Sequence, residues 1–281
     1  MDNNAQTSVI GTVMAIMVVL AFMALITEQY VPLSMTDYEA EHMREVENQL
    51  SVLKQQIDFE IANEEKTMSL YSPISLGSRY VPVFTSPTGG VLNFIPYRAN
   101  DTSISYMEIS FNWSGHVESF RAGGSIFVDI YNRYYVRQNL SYEMGAIVLG
   151  QPPRSTDQVV KANPHIFMEN SSGYYRLSIT LISLMGENYS ASGTRTIGVS
   201  TNLLSVDSWT YYNASSITLT VSSPKYSYAW YKCLEKTFNG TSPPNTQITI
   251  HGGKIVISIP QVDELNIKWA YINIMIGKSR R

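Results

Sequence analysis

An uninterrupted apolar segment near the N-terminus constrains this chain more than any other feature. Residues 9–26 carry no charged side chain, and only Gly11 and Thr12 are weakly polar. As an α-helix this segment spans about 27 Å, close to the hydrocarbon thickness of a bilayer. A cleaved secretory signal needs a basic region before a shorter apolar core, but residues 1–8 contain no lysine or arginine. We therefore predict a first segment, residues 1–32, holding a transmembrane helix that stays on the protein or is trimmed only at its N-terminus.

The sequence after this segment predicts on which side of the membrane the remainder lies. Positive charge gives little guidance, because the first basic residue is Arg44. Asn-X-Ser/Thr sequons are frequent, and such sequons accept glycans outside the cytoplasm. They begin at Asn100, Asn112, Asn139, Asn170, Asn188, Asn213 and Asn239. We expect a single-pass cell-membrane protein with an extracytoplasmic, glycosylated C-terminal domain.

The residues after the apolar segment predict a second, amphipathic helix. Pro32 lacks a backbone N–H and restricts Val31, so we expect the membrane helix to end or kink there. A new helix is predicted over residues 36–62, because Thr36 and Glu39 have the spacing of a capping box. Apolar residues then recur in alternating steps of three and four: Met43, Val46, Leu50, Leu53 and Ile57.

This amphipathic segment, residues 33–66, has two interpretations. Its apolar stripe forms a self-association seam between subunits, or it packs on the chain's own β domain, and we favour the second. In the membrane segment, Gly11 and Ala15 form a pair of small residues four apart. Such a pair lets a neighbouring helix approach closely.

Residues 67–281 predict a β-rich domain. Apolar and polar side chains alternate in four runs, as expected for strands with one buried face. The apolar positions are Met107, Ile109, Phe111, then Leu177, Ile179, Leu181, then Ile217, Leu219, Val221, and finally Ile255, Ile257, Ile259. Glycine-rich turn signals occur at 88–90, 122–124 and 251–253. The fold class predicted is α+β: a long N-terminal helix followed by an antiparallel β-sandwich-like domain.

One short helix is predicted inside the β domain, over residues 224–238. Helical spacing places Cys233 on its apolar face with Trp230 and Leu234, so we expect this thiol to be buried and unreactive. Because Cys233 is the only cysteine, the chain forms no intramolecular disulfide.

Composition and motifs argue against several functions. Lys and Arg number 20 against 23 Asp and Glu, and the one basic cluster is Lys278, Arg280 and Arg281, so we expect no nucleic-acid partner. The histidines match no metal-ligand or nucleophile motif, so we expect no metal, no cofactor and no enzyme activity. They are His42, His116, His165 and His251.

The chain is rich in tyrosine, with nineteen residues. High strand propensity accounts for most of them. Tyr131, Tyr134 and Tyr135 form the best candidate for an exposed aromatic patch.

The N-terminal residues resemble those of a known superfamily. The segment Gln-Thr-Ser-Val-Ile-Gly-Thr at 6–12 is similar to the class III signal peptide boundary of archaeal type IV pilins and archaellins. Later stretches are similar to the β domains of membrane-anchored archaeal surface proteins of this pilin-like type: 73–77, 142–146 and 223–231. The resemblance implies that a prepilin peptidase cuts between Ala5 and Gln6.

Two functional hypotheses follow from these patterns. The first is a pilin-like structural subunit that self-associates, or assembles with related subunits, through its apolar helix into an archaeal surface filament. The alternative is a permanently membrane-anchored adhesive or accessory ectodomain that does not polymerise. A hydrolase would need a converging nucleophile, base and orienting group, and the sequence nominates none.

Overall fold

The computed structural model describes residues 3–78, 85–152 and 156–277. In these residues a long N-terminal helical rod leads into a β domain of two sheets with one short helix. The α+β architecture predicted from the sequence is therefore confirmed. The basic cluster at 278–281 lies outside the described residues.

The rod is helical from end to end. Helix α1 (Asn3–Leu25) passes through a π-helical turn (Ile26–Tyr30) into α2 (Val31–Asn63). The backbone N–H of Val31 donates to the Ile26 carbonyl, five residues back. The wider π turn immediately before Pro32 makes room for a residue that has no N–H and crowds the preceding turn. Of the two predicted outcomes near Pro32, the end of the helix is wrong, because helical bonding continues through it, and the irregularity found there is the π turn.

The capping box predicted at Thr36 is also wrong. The Thr36 hydroxyl donates to the Pro32 carbonyl at 2.8 Å, which is a bond inside an established helix. The Glu39 carboxylate points instead into the β domain. Helix α2 ends at Asn63, one residue beyond the prediction, where Glu64 adopts the left-handed conformation (φ 51°).

The strands form two sheets, which we call sheet A and sheet B. The strands are β1 Leu70–Ser75, β2 Gly90–Ile95, β3 Tyr106–Trp113, β4 His116–Gly123, β5 Ser125–Ile130, β6 Gln138–Glu143, β7 Ala146–Gly150, β8 Gln158–Ala162, β9 Ile166–Ser171, β10 Tyr174–Met185, β11 Tyr189–Gly193, β12 Thr196–Ser222, β13 Gln247–His251 and β14 Lys254–Ile276. Sheet A has the order β4-β3-β12-β14-β10-β9, with β1 added to β12 and β13 added to β14, and sheet B has the order β11-β2-β5-β6-β7-β8.

Most described ladders are antiparallel, as predicted, but β10 runs parallel to β14. A parallel pair needs a crossover rather than a tight turn. The chain makes this crossover through β11, the long strand β12, the short helix α3 (Ser227–Phe238) and β13. The sequence alternation alone does not distinguish this pairing from an antiparallel one.

The four alternating runs each bury the predicted side chains, within β3, β10, β12 and β14. Two hydrophobic cores result. The α2 core lies between α2 and both sheets, and the α3 core lies between the two sheets and α3. Of the three turn signals, 251–253 joins β13 to β14 as a hairpin, whereas Gly123 and Gly124 carry the chain from sheet A to sheet B.

Helix α3 begins three residues later than predicted. The Ser223 hydroxyl accepts the Tyr226 backbone N–H at 3.2 Å and precedes the helix in a turn. The buried side chains of α3 are Ala229, Trp230, Leu234 and Phe238. Cys233 was predicted to be buried but is only half-buried, because the helix turns that position away from the centre of the core.

A buried carboxylate joins three separate parts of the β domain. Glu143, at the end of β6, accepts hydrogen bonds from Ser105 Oγ at 2.7 Å, Ser223 Oγ at 2.7 Å and Trp230 Nε1 at 2.6 Å. Burial raises the pKa of this carboxyl above its usual range, against the opposing effect of the three donors. Glu143 therefore fixes α3 and the loop before β3 against sheet B.

We expect Glu143→Ala to lower the free energy of unfolding by about 3–5 kcal/mol, because the buried hydroxyl and indole donors lose their acceptor. Urea unfolding of the full-length protein in detergent, followed by circular dichroism, measures the change. Glu187→Ala, at an exposed turn residue, serves as the control and is expected to leave the midpoint in place. Equal midpoints for the two variants would contradict the role of Glu143.

Candidate functional site: the exposed apolar helix and its attachment to the β domain

Helix α1 exposes apolar side chains around its whole circumference. It is long and apolar enough to cross a membrane, and no residue in its most apolar stretch is buried by other described residues. Val9 is 63% exposed, Met14 66% and Phe22 64%. Exposed apolar surface of this extent is stable only when lipid or other helices cover it. This surface is the main candidate for function.

The small residues of α1 are open to a neighbouring helix. An added Cβ at Gly11 would meet nothing within 4 Å, and Ala15 is exposed one turn later. The predicted processing positions, Ala5 and Gln6, have helical backbone within the first turns of α1.

Burial begins at Val31, directly after the π turn. Val31 and Met35 are buried, and the predicted stripe of α2 is fully covered by the chain's own β domain. Its members are Met43, Val46, Leu50, Leu53 and Ile57. Of the two interpretations of this stripe, the structure therefore shows packing on the β domain.

Because only the π turn separates α1 from Val31, about 8 Å of helix lies between the apolar segment and the β domain. Helix α2 is not a free stalk.

The first polar attachment is a carboxylate held by backbone N–H groups. Glu39 is fully buried, and its oxygens accept the N–H groups of Arg133 at 3.0 and 3.1 Å, Tyr134 at 2.8 Å and Tyr135 at 2.7 Å. Successive N–H groups form a concave site suited to an anion. The loop between β5 and β6 is thereby bound to α2.

This loop carries the predicted aromatic patch. Tyr131 and Tyr134 are exposed, whereas Tyr135 packs against the α2 core. The patch therefore consists of two residues rather than three.

The next attachment involves β1. The His42 ring bonds the Ser75 carbonyl through Nε2 at 3.0 Å, and Gln49 Oε1 accepts the Ser75 backbone N–H at 2.8 Å. About two turns further along α2, the Ser72 hydroxyl donates to Gln56. These bonds satisfy strand groups that face the helix, so β1 and α2 have a fixed register.

A three-residue polar cluster forms where α2 meets the loop before β9. Asp58 lies 2.9 Å from Lys54 Nζ and 2.8 Å from His165 Nε2. Burial acts to raise the pKa of the Asp58 carboxyl, but the hydrogen bonds and charges of His165 and Lys54 outweigh it and hold that pKa below its usual range. Only the Lys54–Asp58 spacing was visible in the sequence; His165 is 107 positions away.

Glu60 is the buried carboxyl of α2 whose hydrogen-bonding capacity is least fulfilled. It is fully buried, its Oε1 accepts the Thr201 hydroxyl at 2.7 Å, and its Oε2 has no hydrogen-bond partner among the described residues. Burial raises the pKa of this carboxyl to about 7, which the single bond from Thr201 only partly opposes. Glu60 therefore titrates near neutral pH inside the contact between α2 and β12.

The remaining candidate chemistry does not converge. Within the described ranges, no group of three or more His, Cys, Asp or Glu side chains could hold a metal ion. His116 and His251 are exposed beside hairpin turns. The Cys233 thiol lies 3.8 Å from Asn163 Oδ1, and burial raises its pKa, which disfavours the reactive thiolate.

The sequons differ in accessibility. One, Asn139, is half-buried in β6, and its Oδ1 accepts the Tyr226 hydroxyl at 2.9 Å. The others have exposed asparagines: Asn100, Asn112, Asn170, Asn188, Asn213 and Asn239.

No family model, curated protein or solved structure matches this chain.

The raised pKa of Glu60 gives a pH dependence with a defined sign. Between the usual value of 4.5 and about 7, the unfolded chain releases this proton while the folded chain keeps it. Stability therefore falls as the pH rises through this window and levels off above it, by about 3–4 kcal/mol in total.

We expect Glu60→Gln to remove this pH-dependent loss of stability. Between pH 5 and pH 8, the free energy of unfolding of the variant should therefore rise by about 2–3 kcal/mol relative to that of the native chain. Urea unfolding of the full-length protein in detergent at both pH values gives the difference. Glu64→Gln, at an exposed carboxyl just beyond α2, is the matched control. A pH-independent difference between Glu60→Gln and the native chain would show that Glu60 does not titrate in this window.

Proposed function

We propose that this chain is a pilin-like structural subunit of an archaeal cell-surface filament, held in the membrane by α1 before assembly and joined to other subunits through the same helix. The observation that carries the proposal is the fully exposed apolar α1, continuous with a helix that is firmly attached to a β domain. The β domain would lie outside the cytoplasm in both states.

The physical reason is that the apolar surface of α1 must be shielded from water, and the other described residues of the chain do not bury it. Lipid covers it in the membrane, and neighbouring α1 helices cover it in a filament core, so the same apolar surface serves both. Gly11 and Ala15 favour close helix contact, because small residues let backbones approach. Contacts between identical subunits that do not close into a ring extend into a filament.

The attachment of α2 supports this role mechanically. A pull on α1 passes to the β domain through the α2 core and through the bonds of Glu39, His42 and Asp58. These bonds lie along most of the length of α2, so the load would not fall on one contact.

The alternative is a permanently anchored surface ectodomain that does not polymerise. Two positions favour it: no basic residue precedes Gln6, and Ile10 stands where related signal boundaries often have an acidic residue. Both would weaken recognition by a prepilin peptidase and leave the N-terminus intact.

The experiment that separates these functions reads the N-terminal peptide. Native cells are sheared, released filaments are separated from membranes, and both fractions are examined by mass spectrometry. We expect a polymeric sheared fraction that begins at Gln6. Intact Met1 confined to the membrane fraction would contradict the filament and support the anchored ectodomain.

A substitution in α1 tests the helix contact itself. We expect Gly11→Leu to leave membrane insertion unchanged, since it adds apolar surface, but to lower the yield of sheared filament about tenfold, the effect of about 1.4 kcal/mol per subunit contact. Val13→Leu, a larger apolar residue on a different side of α1, is the control. Equal yields from both variants and the native chain would exclude a close contact at Gly11.

A further inference from the structure

Strand β12 leaves part of one edge unpaired. On one side it pairs with β14 along nearly its whole length. On the other side it pairs with β1 up to Thr201 and with β3 from Ser215 onward. Residues 202–214 therefore have no ladder partner on that side among the described strands. Free N–H and C=O groups along a strand edge are a template for pairing with another chain.

The side chains of this edge do little to prevent such pairing. Asp207 is the only charged residue in 202–214, and no proline or lysine is present. Leu204 and Tyr212 are exposed. A bulge at Leu204 and the left-handed Asn213 (φ 56°) mark the two ends of the open edge, but the residues between them are regular strand.

Three sequons lie in one row across sheet A at the Asn213 end of this edge. Asn112 on β3 is two positions from Asn213 in register, since it pairs with Ser215. On the far side of β12, Asp263 of β14 accepts the Tyr175 backbone N–H at 2.7 Å, and Tyr175 pairs with Asn170 on β9. From β3 to β9 the row crosses four strand spacings, about 19 Å.

Each of these sequons has an exposed aromatic side chain beside it. Trp113, 38% exposed, follows Asn112, and Tyr212, 61% exposed, precedes Asn213. Tyr174, 42% exposed, pairs with Ser171, the residue after Asn170. Consecutive side chains of a strand point to opposite faces, so Trp113 and Tyr174 mark the exposed rim around the row and are not surface that the first sugars would cover.

Asn139 provides an internal contrast. It lies in β6 between β5 and β7, with ladder partners on both sides, and its side chain is bonded to Tyr226. The Asn139 side chain is therefore half-buried and already bonded in the folded domain, which disfavours glycan attachment there. The three asparagines of the row, by contrast, are accessible.

We propose that Asn112, Asn170 and Asn213 carry N-linked glycans, and that the glycan of Asn213 closes the open edge of β12 against pairing with a second copy of this chain. The donor is a lipid-pyrophosphate-linked oligosaccharide. Asn213 Nδ2 forms a bond to C1 of its first sugar, the C1–O bond breaks, the lipid pyrophosphate leaves with the electron pair, and Nδ2 loses one proton. The inference rests on the extracytoplasmic position of the β domain proposed above.

Occupancy is tested on full-length protein from native membranes. Intact glycopeptide mass spectrometry is expected to find sugar on the peptides of Asn112, Asn170 and Asn213 and none on that of Asn139. Protease treatment of intact cells, in the same experiment, establishes whether the β domain lies outside. Bare peptides from an externally cleaved protein would overturn this inference alone, whereas protection of the β domain would overturn the proposed function as well.

Edge closure is tested with Ser215→Ala, which destroys the sequon but keeps Asn213. We expect this variant, purified in detergent, to form dimers or larger species. At the same protein concentration, the associated fraction of the native glycoprotein should be at least about tenfold smaller. Adding Tyr212→Lys, a charge on the same edge, should restore the native size distribution. Ser208→Ala, on the edge but outside any sequon, is the control. An unchanged size distribution for Ser215→Ala would overturn the role of the Asn213 glycan.

Discussion

The apolar stripe of α2 against the β domain is the contact on which the remaining structure depends. Val46, Leu50, Leu53 and Ile57 are completely buried in it. Burying side chains of this size contributes about 1.5–3 kcal/mol each, whereas a typical hydrogen bond contributes about 1 kcal/mol net. Each buried residue of the stripe therefore contributes more to the attachment than a single polar contact does. The polar contacts choose the register, because a shift of α2 by one turn, about 5.4 Å, would leave Glu39 and Glu60 buried without their donors.

Three buried glutamates join segments that are distant in sequence, and each is satisfied differently. Glu39 has a set of backbone N–H groups, Glu143 has two hydroxyls and an indole, and Glu60 has one hydroxyl. The degree of satisfaction explains their different expected effects. A fully bonded carboxylate fixes the elements around it, whereas Glu60, with one unbonded oxygen, makes the contact between α2 and β12 sensitive to pH.

The attachment of α2 also decides what α1 can do. Since the β domain covers the rod from Val31 onward, the exposed apolar segment is confined to α1 and ends close to the β domain. A membrane would therefore lie directly below this domain, and a filament core built from α1 would be surrounded by β domains at close range.

The sequence by itself determined the features that depend on local periodicity. The apolar run at 9–26, the stripe of α2, the four alternating strands and the helix near 224–238 were all predictable, because each period is set by the backbone geometry of its own segment. Local signals failed at Pro32 and Thr36, where the surrounding helix overrides a terminator and a cap. Tertiary structure alone decided which donors meet Glu39, since these lie 94 to 96 positions away, and which histidine pairs with Asp58, namely His165. It also decided the parallel register of β10 and β14 and the unpaired edge of β12. No periodic pattern encodes which distant groups meet, since that depends on how the packed elements satisfy one another's buried polar atoms.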